Sequence, residues 1–432
     1  MIYIITFLSL FTFLAIGVPI GIALGMAGIT GIILLGDAAH TLPNLANLAF
    51  NVMFNHTLLA IPMFILMGEL LTAHKIGSDI YDAAYKWIGH MRGGLAAAST
   101  IMGALFGFIS GSSTAGAAVL GGVSIPEMVK RNYEMKFSLG TLACAGTLAI
   151  LIPPSNGMII YAFLAEASLG KLFMAGIIPG LMLTAFMVSY ILIRAKYQPA
   201  LGPEGPVHPL RVRIAALINV IPVILLFLAV LGGIYMGVCS AVEAGAIGAI
   251  VALIIVLSYR RVSINSLRRT ALNSAELVVM VFMIIIGGTV FVYFTQLSGF
   301  AKLILGFVQS LNIQPWAVFV VMAAIMTVMG CFVEGIALML LTVPIFLPIV
   351  VSLGYDPVWY GIMQILLGEM SLITPPVGMN LFVIKGVAPK GTTLGDVSIG
   401  AAPYVVIIWV MIALIIAWPG IVLWLPATML GR

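Results

Sequence analysis

The chain has 432 residues, of which 62% are hydrophobic and 8% are charged, and its formal net charge is +5 at pH 7. Soluble globular domains average about 25% charged residues, so this composition excludes a water-soluble core. Apolar stretches recur from end to end, and a transmembrane helix needs about 20 apolar residues. The sequence therefore predicts an all-α polytopic membrane protein.

The N-terminal region is the first predicted membrane element. Residues 2–35 are apolar from the second position and lack the basic start and small-residue cleavage site of a signal peptide. Their length suffices for two short helices. We therefore expect this segment to stay in the membrane.

The rest of the chain alternates between hydrophobic segments and basic loops. The hydrophobic segments run over 56–73, 94–110, 114–126, 137–152, 155–168, 173–193, 214–235, 238–258, 276–297, 315–332, 336–353, 358–374, 376–388 and 399–424. Several are too short to cross alone, and such segments are more often re-entrant than spanning. Lys and Arg concentrate in four polar loops, which the positive-inside rule places in the cytoplasm: 74–92, 127–136, 194–213 and 259–269. Lipid recognition is the weaker explanation of this charge, and nothing in its distribution indicates nucleic-acid binding.

Two matching interruptions indicate an internal repeat. The double prolines Pro153-Pro154 and Pro375-Pro376 break apolar runs 222 residues apart, although a helix interior loses about 3 kcal/mol per proline. The same offset aligns Gly146 with Gly368, another residue type that fixes backbone shape. The basic loop of the first copy has no basic counterpart in the second, which favours an inverted relation between the two copies.

Broken helices in membrane-type segments predict a transporter site. Backbone groups without partners are expensive in lipid, so such breaks persist where they line a protein-enclosed cavity. Paired breaks in two halves of a chain point to a binding site near the middle of the membrane. Open carbonyl groups at the breaks can hold Na⁺, while the N-termini of half-helices favour anions.

Two further interruptions carry polar groups. The stretch "ISGSSTAG" (109–116) offers hydroxyl oxygens that suit a hard cation, although small residues also serve helix packing. Its partner at the 222-residue offset, "CFVEGIA" (331–337), contains Glu334, and intramembrane carboxylates are usually functional. The alternative for Glu334 is a helix-end residue that reaches the membrane interface. The other membrane-depth carboxylates are Glu69, Glu243, Glu276 and Glu369, and Glu369 ranks highest because it precedes the second double proline.

The sequence disfavours an enzyme. The stretch "GSSTA" has alanine where a GxSxG nucleophile motif requires glycine, and all five histidines lie in the first half, mostly in loops or at helix ends. Cys144, Cys239 and Cys331 follow no zinc or disulfide spacing. We expect no catalytic residues, no cofactor and no metal other than Na⁺, and an intramembrane serine hydrolase remains the alternative from a different class.

Three stretches resemble a known family. They are "SGSSTAGAAVLGGVSIPEM" (110–128), "AGTLAILIPPSNGMIIYAFLAEASLGKLFMAGIIPG" (145–180) and "TPPVGMNLFV" (374–383). Together they are similar to the large membrane subunit of tripartite ATP-independent periplasmic (TRAP) transporters, in the ion-transporter superfamily. The similarity spans essentially the whole chain.

The resemblance implies two inverted repeats with re-entrant hairpins, divided into scaffold and transport domains that move as an elevator. Projected onto this chain, it implies N-terminal scaffold helices in 1–45, a first repeat in 46–195 with a hairpin at about 94–126, a linker and scaffold helices in 196–264, a second repeat in 265–424 with a hairpin at about 315–353, and a tail in 425–432.

The implied function is Na⁺-coupled import of an organic acid, such as a dicarboxylate or a sialic acid, across the bacterial inner membrane. A periplasmic binding protein would deliver the substrate, and a separate small membrane subunit of about four helices would complete the assembly. A Na⁺–carboxylate symporter that works without a binding protein is the alternative.

The resemblance, together with the carbonyl argument, also implies site residues. The first Na⁺ site would comprise Ser110, Gly111, Ser112, Ser113, Gly146, Thr147, Pro153 and Ser155. The second would comprise Glu334, Gly335, Gly368, Thr374, Pro375 and Gly378. The substrate would contact Ser113, Thr114, Asn156, Gly335 and Asn380. Lys385 is the nearest basic candidate for a substrate carboxylate.

Overall fold

The computed structural model describes residues 1–36, 41–74, 76–258, 263–311 and 313–429, and these residues form helices and connecting loops without any strand. The all-α prediction is therefore confirmed. His40, Arg260 and Arg261 of the predicted basic loop 259–269, and residues 430–432 of the predicted tail lie outside the described residues.

The described residues form 21 α-helices. They are α1 (Ile2–Ala15), α2 (Ile20–Leu34), α3 (Leu45–Met53), α4 (Ala60–Ala73), α5 (Ile76–Ile88), α6 (Gly94–Ser110), α7 (Ser113–Lys130), α8 (Met135–Leu151), α9 (Asn156–Ala165), α10 (Leu169–Tyr197), α11 (Leu210–Ile218), α12 (Ile221–Tyr235), α13 (Ala241–Ser258), α14 (Ile264–Leu297), α15 (Phe300–Ser310), α16 (Pro315–Gly330), α17 (Gly335–Ser352), α18 (Pro357–Ile373), α19 (Met379–Val387), α20 (Leu394–Ala417) and α21 (Gly420–Ala427). Short 3₁₀ turns occupy Leu42–Asn44, His56–Leu59 and Pro199–Leu201.

Six helical segments of the described chain are long and apolar enough to cross a membrane. They are His56–Ala73, α10, α13, α14, α17 and α20. The pairs α8–α9 and α11–α12, bent by 44° and 49°, raise the number to eight if each pair counts as one span. By length alone α17 can cross a membrane, so the re-entrant course of the second hairpin stays a prediction.

Helix bounds in the two halves agree with the 222-residue offset. Adding 222 to the bounds of α7 gives those of α17, and adding it to α8 gives those of α18. The N-caps agree as well: Ser112 with Glu334, and Glu134 with Asp356. The inverted relation of the halves, and the domain boundaries, stay predictions.

The core lies around α8 and α18, which pack directly against each other. Nearly every residue of both helices is buried, so neither can present much surface to lipid. Each half-helix after a break crosses to the other half of the chain: α9 packs on α17 and α18, while α19 packs on α7 and α8. The first break is buried in protein, whereas Pro375 and Pro376 of the second break are exposed at the surface of the chain.

The connection between the halves is tied to the base of the first hairpin. The Gly93 amide donates to the Gly202 carbonyl at 2.9 Å, and the Gly205 amide donates to the Gly89 carbonyl at 3.0 Å. The Tyr133 hydroxyl donates to the Pro203 carbonyl at 3.2 Å. The predicted linker is therefore fixed to the hairpin base at residues 202–205.

Three segment predictions are wrong in detail. The segment 214–235 is predicted as one helix, but α11 ends at Ile218 and α12 begins at Ile221, because Pro222 has no amide to donate to the Ile218 carbonyl four residues earlier. The segment 276–297 belongs to a helix that starts at Ile264, where Ser263 caps it by accepting the Ser266 amide. The polar loop 74–92 contains α5, an amphipathic helix that packs on α6.

Candidate functional site

A cavity of about 370 Å³ lies where the two hairpin tips meet. Its wall includes both tips, parts of α4 and α14, and the start of α9. Among the predicted site residues, those that line it are Ser110, Gly111, Ser112, Ser113, Thr114, Asn156, Glu334, Gly335 and Gly368. Residues predicted from two distant sequence motifs thus share one cavity.

The first hairpin tip is a tight turn between α6 and α7. Gly111 ends α6 with φ +56°, a left-handed conformation that glycine adopts at little cost. Ser112 then caps α7, its hydroxyl accepting the Ala115 amide at 3.5 Å. A methyl group on Gly111 would lie 3.0 Å from the Pro154 carbonyl oxygen, so the tip rests directly on the first break.

The second tip repeats this construction with a charged cap. Glu334 occupies the N-cap of α17, and its carboxylate accepts the Ile336 amide at 3.1 Å. Gly335 packs on the backbone of Gly368 in α18. The Val377 amide donates to the Cys331 carbonyl at 3.1 Å, which joins the second break to the second tip.

The two breaks interrupt α8–α9 and α18–α19. The peptide bonds Pro153-Pro154 and Pro375-Pro376 are both cis. Ser155 caps α9 by accepting the Met158 amide at 3.4 Å, whereas the N-cap of α19 is Gly378, whose φ is +40°. The first amide groups of α9 and α19 therefore have no carbonyl acceptor in a preceding helical turn.

The remaining predicted site residues lie behind the cavity wall or beside the breaks. They are Gly146, Thr147, Pro153, Ser155, Thr374, Pro375, Gly378 and Asn380. Gly146 packs against the first hairpin: a methyl group added to Gly116 would lie 3.5 Å from the Gly146 carbonyl oxygen. The hydroxyl groups of Thr147 and Thr374 donate to carbonyls of their own helices. Lys385 is exposed and does not line the cavity.

Asn380 connects the second break with the first tip. Its side-chain amide donates to the Ser113 hydroxyl at 2.7 Å and to the Ala143 carbonyl at 2.9 Å, and the residue is fully buried. Asn380 therefore reaches the cavity through Ser113 and not with its own surface. This contact spans 267 residues of sequence.

Sequence reasoning missed one polar group of the cavity and undervalued another. Gln364 lines the cavity and holds a buried network, accepting from the Tyr360 hydroxyl and donating to the Thr342 hydroxyl, both at 2.8 Å. Glu69 lines it from α4, because Gly68 lets α4 approach the backbone of Ile109 at the first tip. A glutamine inside an apolar segment was the available signal.

The ionisable side chains of the cavity are acidic. Among the described residues that line it, Glu69 and Glu334 are the ionisable side chains, and none is Lys, Arg or His. The other polar groups are hydroxyl, amide and backbone groups, and oxygen atoms of this kind are the donors that hard cations prefer. Three helices, α7, α9 and α17, begin at residues of the cavity wall: Ser113, Asn156 and Gly335. The cavity thus combines oxygen donors with helix N-termini.

Comparison with known proteins agrees with this architecture. Over 89% of both chains, the fold is similar to that of a transporter from Alcanivorax borkumensis, YdaH, with a TM-score of 0.64 at 12% sequence identity. The chain is 37% identical to the C4-dicarboxylate TRAP transporter large permease protein DctM of Pseudomonas aeruginosa, covering 94% of this chain and 93% of the relative. It is 28% identical to the sialic acid TRAP transporter large permease protein SiaM of Vibrio cholerae, covering 96% of each.

Residues 7–421 match the family described as tripartite ATP-independent periplasmic transporter, DctM component. The match takes in both hairpins, both breaks and the linker. These relatives are transporter permeases and not enzymes. The chain therefore belongs to the DctM family of TRAP transporter large permeases, which are multi-pass proteins of the bacterial inner membrane.

Proposed function

We propose that this permease imports an organic acid, a carboxylate such as a dicarboxylate or a sialic acid, by coupling its entry to the Na⁺ gradient. The observation that carries the proposal is the cavity between the hairpin tips, where three helix N-termini meet a wall of oxygen donors. Helix N-termini favour anions, and oxygen-rich breaks favour Na⁺.

The substrate carboxylate binds at the helix N-termini. Ser113, Asn156 and Gly335 begin α7, α9 and α17, and their backbone amides lie at the positive ends of those helices. The lining residues described in the structure include no basic side chain, so amide and hydroxyl groups take that role. Substrate contacts then comprise Ser113, Thr114, Asn156 and Gly335, with Asn380 acting through Ser113.

Na⁺ binds in two places, one for each tip and its break. The first site uses the 110–113 tip with residues 146–155, and the second uses Glu334 and Gly335 with Gly368 and residues 374–378. Packing supports this pairing, because Gly111 rests on the first break and Gly335 rests on Gly368. Bound Na⁺ offsets the two cavity carboxylates, which would otherwise repel an anionic substrate.

Transport follows an elevator movement. The hairpins and half-helices pack across one another as one group, α6–α9 with α16–α19. The helices α2, α4, α13 and α14 pack among themselves, and α4 and α14 close the cavity from the other side. The first group is the moving body and the second is the scaffold.

The permease works with two partners. The family name denotes a three-part transporter with a periplasmic component. In this proposal a periplasmic binding protein delivers the substrate, and a separate small membrane subunit of about four helices supports the scaffold.

The test is uptake into proteoliposomes that contain this chain and its small membrane partner. An inward Na⁺ gradient is imposed, the binding protein is present or omitted outside, and labelled dicarboxylates and sialic acid are supplied. Uptake that requires both the gradient and the binding protein is the expected result. Uptake without the binding protein would favour a Na⁺–carboxylate symporter that works alone. Uptake at the same rate with and without the Na⁺ gradient would refute Na⁺ coupling.

A further inference from the structure

Glu69 is the ionisable side chain of the cavity that neither predicted Na⁺ site uses. It lines the cavity from α4 and is half-buried. Its carboxylate faces the side-chain amide of Asn273 in α14, and the salt bridges found among the described residues do not include it. Carboxylates at membrane depth are costly and usually serve a function. Glu69 therefore brings to the cavity a charge that no salt bridge of the described chain balances.

Glu69 lies near the cytoplasmic end of the scaffold. The helix α4 ends four residues later, which is about 6 Å at 1.5 Å per residue. The loop that follows α4, 74–92, and the loop that leads into α14, 259–269, are both basic, and the positive-inside rule places them in the cytoplasm. His74 Nε2 lies 3.3 Å from the Ser266 hydroxyl, so the cytoplasmic ends of the two helices meet there.

The first hairpin reaches the level of Glu69 with its tip. A methyl group on Gly68 would lie 2.5 Å from the Ile109 carbonyl oxygen, so α4 contacts the last turn of α6. The helix α6 has 17 residues and is therefore about 25 Å long, which puts its first residue well away from this contact. Alongside it runs α5: Gly77, near its start, packs on Phe106, and its end connects to the start of α6. The base of the hairpin, which carries the basic loops, therefore extends past the end of α4 towards the cytoplasm.

These positions indicate which side of the membrane the cavity serves in this conformation. The hairpins and half-helices are the moving body of the proposed elevator, and the first tip lies beside the cytoplasmic end of a scaffold helix. The moving body is therefore displaced towards the cytoplasm, which corresponds to an inward-facing state. Movement towards the periplasm would carry both tips away from Glu69, since α4 belongs to the scaffold.

We propose that Glu69 promotes release of the substrate into the cytoplasm by repelling its carboxylate in the inward-facing state. The inference rests on the proposed function, in which an elevator movement carries an anion together with Na⁺. Bound Na⁺ offsets the Glu69 charge during loading, and the repulsion returns when Na⁺ leaves on the side where Na⁺ is scarce. The charge acts on binding and release at the same face, so it changes rates and cytoplasmic affinity while the Na⁺ gradient still sets the final accumulation.

The test measures substrate affinity at the cytoplasmic face, in proteoliposomes that contain the full chain and its small membrane partner. The binding protein is supplied outside, so uptake reports the molecules whose periplasmic face is outside. Initial uptake of labelled succinate and, separately, of labelled N-acetylneuraminate is followed against increasing unlabelled acid inside, at a fixed internal Na⁺ concentration. Glu69→Gln removes the charge, and Glu276→Gln makes the same change on an exposed scaffold position outside the cavity wall.

For the acid that the wild type imports, we expect the internal concentration that halves uptake to fall several-fold in Glu69→Gln. The maximal rate should fall as well, because the acid leaves the cytoplasmic face more slowly. The external concentration for half-maximal uptake should change by a smaller factor, and accumulation at steady state should stay the same. Glu276→Gln should match the wild type.

Two results would overturn the role of Glu69 and leave the proposed function intact. One is an unchanged internal value in Glu69→Gln beside a wild type that imports the acid with Na⁺. The other is an equal change at both faces, which would indicate a purely structural role. A wild type that imports neither acid, or imports it equally without the Na⁺ gradient, would overturn the proposed function and this inference with it.

A gain of charge guards against misfolding of Glu69→Gln. Leu277 lines the cavity from α14, so Leu277→Glu adds a second carboxylate to the same scaffold wall. We expect it to raise the internal concentration that halves uptake, which is the opposite of the effect of Glu69→Gln. Glu69→Asp keeps the charge and should lie closer to the wild type than to Glu69→Gln. A wild-type internal value in Leu277→Glu, in protein that elutes as a single species, would also overturn the proposal.

Discussion

Replacing Asn380 with alanine tests whether the second break supports the first hairpin tip. The change removes two hydrogen bonds, of 2.7 Å to the Ser113 hydroxyl and 2.9 Å to the Ala143 carbonyl. A typical intramolecular hydrogen bond contributes about 0.5–1.5 kcal/mol net, so the expected loss is about 1–3 kcal/mol. Only the bond to Ser113, which begins α7, reaches the tip, because Ala143 lies in α8. The tip therefore loses about 0.5–1.5 kcal/mol, which shifts its opening equilibrium by roughly 2- to 13-fold.

Hydrogen–deuterium exchange of purified protein measures this directly. Amide groups of the tip, residues 110–116, should exchange faster in Asn380→Ala by a factor in that range, because local opening governs exchange. The control is Thr393→Ala, which removes the capping box of α20 at about 1 kcal/mol and leaves the tip untouched. Substrate uptake should fall in Asn380→Ala and persist in the control.

Unchanged exchange at the tip in Asn380→Ala would refute the reasoning. It would mean that backbone contacts of Gly111 with the first break hold the tip alone, and that Asn380 contributes only to the packing of α19. Equal acceleration in Thr393→Ala would likewise refute it, by showing that any loss of stability loosens the tip.

Three further predictions concern the hairpin and the linker. Gly146→Ala would set a methyl group 2.8 Å from the Ala117 side chain, so we expect this variant to have a lower unfolding temperature and weaker Na⁺ binding. The control is Gly122→Ala, whose methyl group would meet no atom within 4 Å and should leave stability unchanged or slightly higher. Ser112→Ala removes the cap of α7 and should cost about 1 kcal/mol in thermal or denaturant unfolding, and an unchanged midpoint would contradict the capping role. Tyr133→Phe frees the Pro203 carbonyl and should speed proteolysis within 199–205; equal cleavage rates would show that the backbone pairs suffice.

The helices around the site were accessible from the sequence because prolines and glycines fix backbone shape. The two double prolines lie at the same offset as the caps Ser112 and Glu334. The predicted segments 336–353 and 358–374 agree with α17 and α18 to within one residue, whereas the segment 114–126 ends four residues before α7 does. Polar caps and proline breaks determine where a helix begins or ends through residues next to each other in the chain, so short stretches of sequence predict them.

Contacts between distant segments were not accessible in this way. Nothing local at Asn380 indicates that its amide binds Ser113, because the contact depends on how α19 crosses to the other half. Lys385, a reasonable anion ligand by sequence, is exposed because its helix turns that face outward. The start of α14 was missed because its polar first turns interrupt the hydrophobic pattern without interrupting the helix.

The pairing of the linker with the first hairpin has a practical consequence for probes and fusions. Backbone hydrogen bonds join Gly202 to Gly93 and Gly205 to Gly89. A tag or fluorescent protein inserted between residues 199 and 205 would therefore break the hydrogen bonds at the base of the hairpin. Pro206 and Val207 are exposed, and the hydrogen bonds of the linker backbone described above end at Gly205. A reporter placed after Val207 would lie beside the hairpin and leave the bonds at its base intact, so this short stretch is a suitable attachment point for testing the proposed movement of the hairpin in a membrane.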